Sequence, residues 1–189
     1  MSALYYYAED VVWLEVPGET SLAFTISGCP VGCKGCHSAH SWPAQAGLPL
    51  TPAVLLEKTK KYQGLISCVL FLGGEWQPAL LLELLDICQQ LQLKTCLYTG
   101  LETPPAMLVQ QLDFVKTGPW VAELGPLGSP GSNQRFYDLK KQQDLTWMFL
   151  PVALVCPAQN QNQQLTQTQT QTQTPSLPEF PTPQFLPKE

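Results

Sequence analysis

The segment "ISGCPVGCKGCHSAHSW", residues 26 to 42, places Cys29, Cys33 and Cys36 within eight positions and surrounds them with Gly28, Pro30, Gly32 and Gly35. Glycine and proline so closely spaced exclude helix or strand periodicity, so the stretch is a loop, and a loop with three thiols needs something to organise it. The chain has seven cysteines, an odd number with four of them scattered, which does not make a disulfide framework. Two chemistries fit three thiols at this spacing. A cubane [4Fe-4S] cluster held by three thiolates keeps one iron open for a small ligand. A tetrahedral Cys3His zinc site, completed by His37 or His40, would use the same loop as a structural clamp.

The flanking sequence says where that loop sits. "SLAFTIS" (21 to 27) is apolar and β-branched and reads as the first strand of a core, ending at Gly28. Thr51 as N-cap and Pro52 at the first helical position predict a helix running to about Tyr62. "LISCVLFLGG" (65 to 74) is an almost continuous apolar run, the pattern of a strand covered on both faces, and Gly73 and Gly74 stop it. "PALLLELLDICQQLQ", from Pro78, has helical periodicity, and "KTCLYTG" (94 to 100) reads as another buried strand. A helix from about Pro104 to Leu112 and a strand "DFVKT" (113 to 117) extend the alternation. Alternating strands and helices imply an α/β fold with a mainly parallel sheet. Such sheets bind ligands at the C-terminal ends of their strands, where both the cysteine loop and "GGEW" (73 to 76) fall.

With 44% hydrophobic residues in 189, the chain supports one core, assigned to residues 1–156. From Pro157 the sequence becomes "PAQNQNQQLTQTQTQTQTPSLPEFPTPQFLPKE", and residues 157–189 are expected to form a disordered Gln/Thr/Pro-rich tail. A net charge of -5 with only 10 Lys plus Arg leaves no basic stripe for a phosphate backbone, so nucleic acid is excluded as a partner. "MSALYYYAEDVVWLEV" lacks the basic and apolar parts of a leader, and no apolar run approaches the roughly 20 residues a bilayer requires. The expected compartment is the cytoplasm, with no membrane partner.

The spacing of Cys29, Cys33 and Cys36, with Gly73-Gly74-Glu75 after the next strand, resembles the radical S-adenosylmethionine superfamily. "GCPVGCKGCHSAHSW", "LGGEW", "YTG" (98 to 100), "KTGPW" and "GSNQRFYDL" (131 to 139) narrow the resemblance to the activating enzymes of anaerobic ribonucleoside-triphosphate reductases, over roughly residues 10 to 150. The resemblance implies an incomplete (β/α)6 barrel and two cofactors, a [4Fe-4S] cluster and S-adenosylmethionine. Cys29, Cys33 and Cys36 would ligate the cluster, Gly73 and Gly74 would let the backbone approach the methionyl amino group with Glu75 helping to fix that strand end of the cofactor site, and Gly35, Cys36 and His37 would lie beside the adenosyl end. It also implies a radical oxidoreductase activity: one-electron cleavage of S-adenosylmethionine and hydrogen abstraction from a glycine of a partner reductase, with a flavodoxin-like or other low-potential protein as electron donor. No general acid or base is required of the protein. An activase for another glycyl-radical enzyme, a small-molecule radical enzyme and a non-catalytic Cys3His zinc module remain as alternatives, and the short chain favours a macromolecular substrate over the small-molecule reading.

Cys68, Cys88 and Cys96 fall in strand-like or helical runs, where cysteine acts as a small hydrophobe, and Cys156 borders the tail. Asp113 and Lys116 are either cofactor contacts or a surface ion pair. In "GSPGSNQRF" (128 to 136), Asn133 and Arg135 are either contacts to a partner's backbone or members of a surface turn. Trp42, Trp76 and Trp120 either shield the reacting site or pack.

Overall fold

The stretches expected to alternate between strand and helix do so in the computed structural model, which describes residues 3–151. In chain order the strands are β1 (Leu4–Val12), β2 (Ser21–Ile26), β3 (Leu48–Leu50), β4 (Cys68–Leu72), β5 (Lys94–Tyr98), β6 (Phe114–Thr117), β7 (Arg135–Asp138) and β8 (Gln143–Asp144). The helices are α1 (Pro52–Lys61), α2 (Pro78–Gln90) and α3 (Ala106–Val109). Side by side the strands form one open sheet in the order β3-β1-β2-β4-β5-β6-β7-β8. The expected tail, the boundary at residue 156 and Cys156 lie outside the described residues.

The sheet is mixed, which corrects the expectation of a mainly parallel one. β2, β4, β5 and β6 are parallel neighbours. The four outer pairings, β3 with β1, β1 with β2, β6 with β7 and β7 with β8, are antiparallel. The reason is local. Parallel neighbours need a crossover, here supplied by α1, α2 and α3, whereas the β1 to β2 and β7 to β8 links are short turns that return the chain antiparallel. The strand at 21–26 is therefore the second, because β1 precedes it.

Helix starts follow the expected chemistry. The Thr51 side chain accepts a hydrogen bond from the Val54 N–H at 3.3 Å, and Pro52 occupies the first turn, where its missing N–H costs nothing. The helix expected over 104–112 shortens to one turn, Ala106–Val109, because the Pro104-Pro105 pair delays its start. Leu108 and Leu112 are nonetheless both buried, four residues apart.

Alternation along the strands sorts the core into two layers. Leu22, Phe24, Ile26, Val69, Phe71, Leu97 and Val115 face the helices and pack on Leu55, Leu81, Leu84, Leu85 and Leu108. Ala23, Cys68, Leu70, Cys96, Phe114 and Phe136 face the other way, beneath Val16 and Leu127. Each buried aliphatic or aromatic side chain contributes roughly 1.5–3 kcal/mol. Burial on both faces explains why "CVLFL" shows no polar alternation. No helix among the described residues is long and apolar enough to cross a membrane.

Candidate functional site

On the face away from the helices, the four parallel strands end in one cross-strand row. Thr25 pairs with Leu72, Leu72 with Tyr98, and Tyr98 with Lys116. These four residues line one wall of a cleft of about 190 Å³ whose lining also includes Cys29, Cys33 and Cys36. The cleft thus lies where parallel sheets bind ligands, at the carboxyl ends of the strands.

The cysteine loop is tied down at both ends. Ser27 N–H donates to the Tyr5 carbonyl at 2.8 Å, Ser27 Oγ to the Ala46 carbonyl at 2.5 Å, and Gly28 N–H to the Ser41 carbonyl at 2.8 Å. Between these anchors Gly28, Gly32 and Gly35 all take positive φ, 92°, 63° and 72°, so the backbone follows a path that side chains would strain. A tight turn brings Cys36 N–H to the Cys33 carbonyl at 3.1 Å. All three thiols are free and half-buried. Burial pushes the Cys29 thiol up, against a backbone hydrogen bond at Val31, and the charges of Glu75, Cys33 and Cys36 push it further.

That donor set suits an iron-sulfur cluster. A cationic iron core removes the penalty of gathering thiolates in one cleft, and each cysteine of a cubane binds a different iron. Among the described residues no group of three or more His, Cys, Asp or Glu side chains is arranged to hold a single metal ion. The two histidines are engaged elsewhere. The His37 ring lies 4.9 Å from the Trp120 ring and the His40 ring 4.5 Å from Tyr7. Neither lines the cleft, which bears against the Cys3His alternative.

Gly73 and Glu75 line the cleft, whereas a Cβ on Gly74 would stand 3.6 Å from the core side chains of Ile26 and Leu4. Gly73 has φ 95°, and a Cβ there would meet the Trp76 ring at 2.6 Å, so only glycine fits. Glu75 is 4% exposed. One of its oxygens accepts a 2.6 Å hydrogen bond from Thr99 Oγ1, and the other is buried without a partner. Burial raises the Glu75 carboxyl, while the Thr99 hydroxyl, its own backbone N–H and Lys116 oppose the rise. Lys116 is 8% exposed, and its ammonium donates to the Gly118 carbonyl at 2.9 Å. Burial brings its pKa down to about 8 even though Cys33, Cys36 and Glu75 pull it upward. The cleft therefore holds a buried anion with a spare acceptor and a buried cation with spare donors.

Gly35 and His37 are outside the lining and meet the cleft through Trp120. A Cβ on Gly35 would stand 3.6 Å from Trp120 Nε1. Asp113 belongs to the opposite end of β6, where its carboxylate accepts from Thr95 N–H at 2.8 Å and Thr95 Oγ1 at 3.1 Å. Arg135 donates to the Ser132 and Gln134 carbonyls at 2.6 and 2.7 Å, and Asn133 Nδ2 to the Pro119 carbonyl at 3.0 Å, so these donors serve the chain's own backbone. Trp42 and Trp120 line the cleft, and Trp76 lines a neighbouring one with Gly28. Sequence reasoning had no role for Thr25, Leu72, Thr99 or Gln134, which also line it. For Thr25 and Leu72 the signal was present: counting by two along their strands puts each at the last position on the non-helical face.

The family pattern for the 4Fe-4S single cluster domain matches residues 16–135. That is more than half of the chain, and the protein belongs to this family. The matched region holds the cysteine loop, the four parallel strands, Glu75 and Lys116. Over 98 residues the chain is 29% identical to the pyruvate formate-lyase-activating enzyme of Clostridium pasteurianum, a stretch covering 49% of this chain and 41% of that enzyme. The chain spans less than half the length of this curated relative. Family membership and this likeness support a [4Fe-4S] cluster and S-adenosylmethionine as the cofactors.

Proposed function

We propose that the protein is a radical S-adenosylmethionine activase that installs a glycyl radical on an anaerobic ribonucleoside-triphosphate reductase in the cytoplasm, with a flavodoxin-like or other low-potential protein as electron donor. The observation that carries this reading is the single cleft in which three loop thiols face the buried Glu75 and Lys116 at the ends of parallel strands. Likeness to a pyruvate formate-lyase-activating enzyme supports the activase class. The choice of reductase rests on "KGCH" and "SNQR". The incomplete (β/α)6 barrel stays part of this reading, with four parallel strands and three helical crossovers as its central portion inside an open mixed sheet.

In this reading Cys29, Cys33 and Cys36 hold the cluster. When bound, the cluster and S-adenosylmethionine supply the one-electron chemistry that removes a hydrogen atom from a carbon centre. The protein's part is placement. The unpartnered oxygen of Glu75 and the Gly73 backbone would receive the methionyl ammonium, and the spare donors of Lys116 would receive the carboxylate. Thr99 holds one Glu75 oxygen and leaves the other without a partner. Burial of both charges keeps water from competing for the cofactor's charged end.

Anaerobic reconstitution with iron and sulfide, followed by reduction with S-adenosylmethionine and a reductase from the same organism, tests this. The expected result is a brown protein, formation of 5′-deoxyadenosine and methionine, and a glycyl radical doublet in the electron paramagnetic resonance spectrum. A colourless protein retaining one zinc overturns the reading in favour of the zinc module. Deoxyadenosine without a protein radical overturns the partner alone.

A further inference from the structure

Among the described residues, the buried polar side-chain atoms without a partner include Trp120 Nε1. A buried indole N–H with no acceptor is costly and uncommon, because tryptophan normally finds one when it is buried. Trp120 lines the cleft together with the three cysteines. The ring sits where Gly35 offers no side chain, with Nε1 3.6 Å from the position of the missing Cβ, and the His37 imidazole supports it at 4.9 Å and a 47° tilt.

The backbone that carries Trp120 is braced from two sides. Gly118 N–H donates to the Leu101 carbonyl at 2.9 Å. The Pro119 carbonyl, next to Trp120, accepts from Asn133 Nδ2 at 3.0 Å and from Gln134 Nε2 at 3.4 Å. The "SNQ" segment therefore grips the residue before Trp120, and Ser132 Oγ completes the turn by accepting from Gln134 N–H at 3.2 Å. A flat donor-bearing ring held this firmly beside a cleft whose charged groups, Glu75 and Lys116, suit an amino-acid end is equipped for the other end of a nucleoside-linked amino acid.

We infer that Trp120 is the base-recognition residue of this cleft, stacking on the adenine of S-adenosylmethionine and donating its Nε1–H to an acceptor of the nucleoside, with Asn133 and Gln134 as its positioning residues. The inference rests on the cofactor reading above and adds to it which residues take the nucleoside half.

Equilibrium binding of S-adenosylmethionine, 5′-deoxyadenosine and methionine to the anaerobically reconstituted full chain tests it. Trp120→Ala is expected to weaken the first two by about tenfold or more, the size of one base stack. Methionine binding and the cluster absorbance stay unchanged. Trp120→Phe keeps a ring and loses the donor, so a loss of about threefold confined to the nucleoside ligands is expected; it carries the test if the alanine variant does not fold. Asn133→Ala shifts the same ratio in the same direction by a smaller factor. Nucleoside affinity equal to the parent's in the Trp120 variants, or an equal loss for methionine, overturns the inference while leaving the activase reading in place. A parent protein that binds neither S-adenosylmethionine nor 5′-deoxyadenosine overturns both.

Discussion

Six of the chain's cysteines fall into two groups that share a side chain and nothing else. Cys29, Cys33 and Cys36 stand half-exposed on a glycine-rich loop, whereas Cys68, Cys88 and Cys96 are fully buried in the core. Burial pushes the Cys68 and Cys88 thiols up to about 12 and the Cys96 thiol well above its ordinary value, so they stay protonated and act as small hydrophobes. The loop thiols face a cleft with a neighbouring cation, Lys116, and space for a ligand. What separates a metal ligand from a packing residue here is the backbone around it: a loop that frees the sulfur from the core in one case, and strand or helix periodicity that seals it in the other.

The largest effect expected is on the loop group. Cys33→Ala should abolish both the cluster's absorbance and S-adenosylmethionine cleavage, while the unfolding midpoint of the cluster-free protein stays within about 0.5 kcal/mol of the parent. Full cluster content and turnover in this variant would erase the distinction between the groups. The core group should show the converse. Cys96→Ser puts a hydroxyl into a fully buried site and should cost about 1–3 kcal/mol in denaturant unfolding, with cluster content per folded molecule unchanged. A loss of iron from folded Cys96→Ser would mean that the core thiols take part in the site.

A smaller effect separates the groups by pH. The core thiols ionise near 9.0 in the unfolded chain but near 12 at Cys68 and Cys88 in the folded one. Above pH 9 the unfolded state therefore loses protons that the native state keeps. Stability contributed by these thiols is complete below pH 9 and declines as the pH rises toward 12. Denaturant midpoints measured across that window should fall, and Cys68→Ala should flatten the slope. An unchanged slope in that variant would show that the alkaline loss belongs to other groups.

How far the sequence anticipated this molecule depended on whether its signals were local. Gly28, Gly73 and the Thr51-Pro52 pair act over one or two residues, and they placed the loop, the strand stop and the helix start where the structure has them. β1 was not legible because "LYYYAEDVV" alternates only in its first part: Leu4 and Tyr6 are buried, and the strand then runs on through partly exposed Glu9 and exposed Asp10. β7 is four residues long with Phe136 and Asp138 buried, and β8 is a two-residue exposed edge, too short for a periodic signal. The same holds in the cleft. The three cysteines and Glu75 announce themselves by spacing, but the depth of Lys116 and the contact of Trp120 with Gly35 exist only once β6 and the loop after it have docked.

The in-register row from Thr25 through Leu72 and Tyr98 to Lys116 also sets a timetable for maturation. Its four members come from segments that leave the ribosome at widely different moments, and the row is continuous only when β6 has joined the sheet in its proper register. A slip of one residue in β6 would exchange Lys116 for Val115 or Thr117 and turn a charged wall into one without charge. Nascent or misaligned chains thus carry the thiols without the compartment that makes them selective. The wall beside the thiols is thus a property of the assembled sheet, complete only when all four parallel strands are in register.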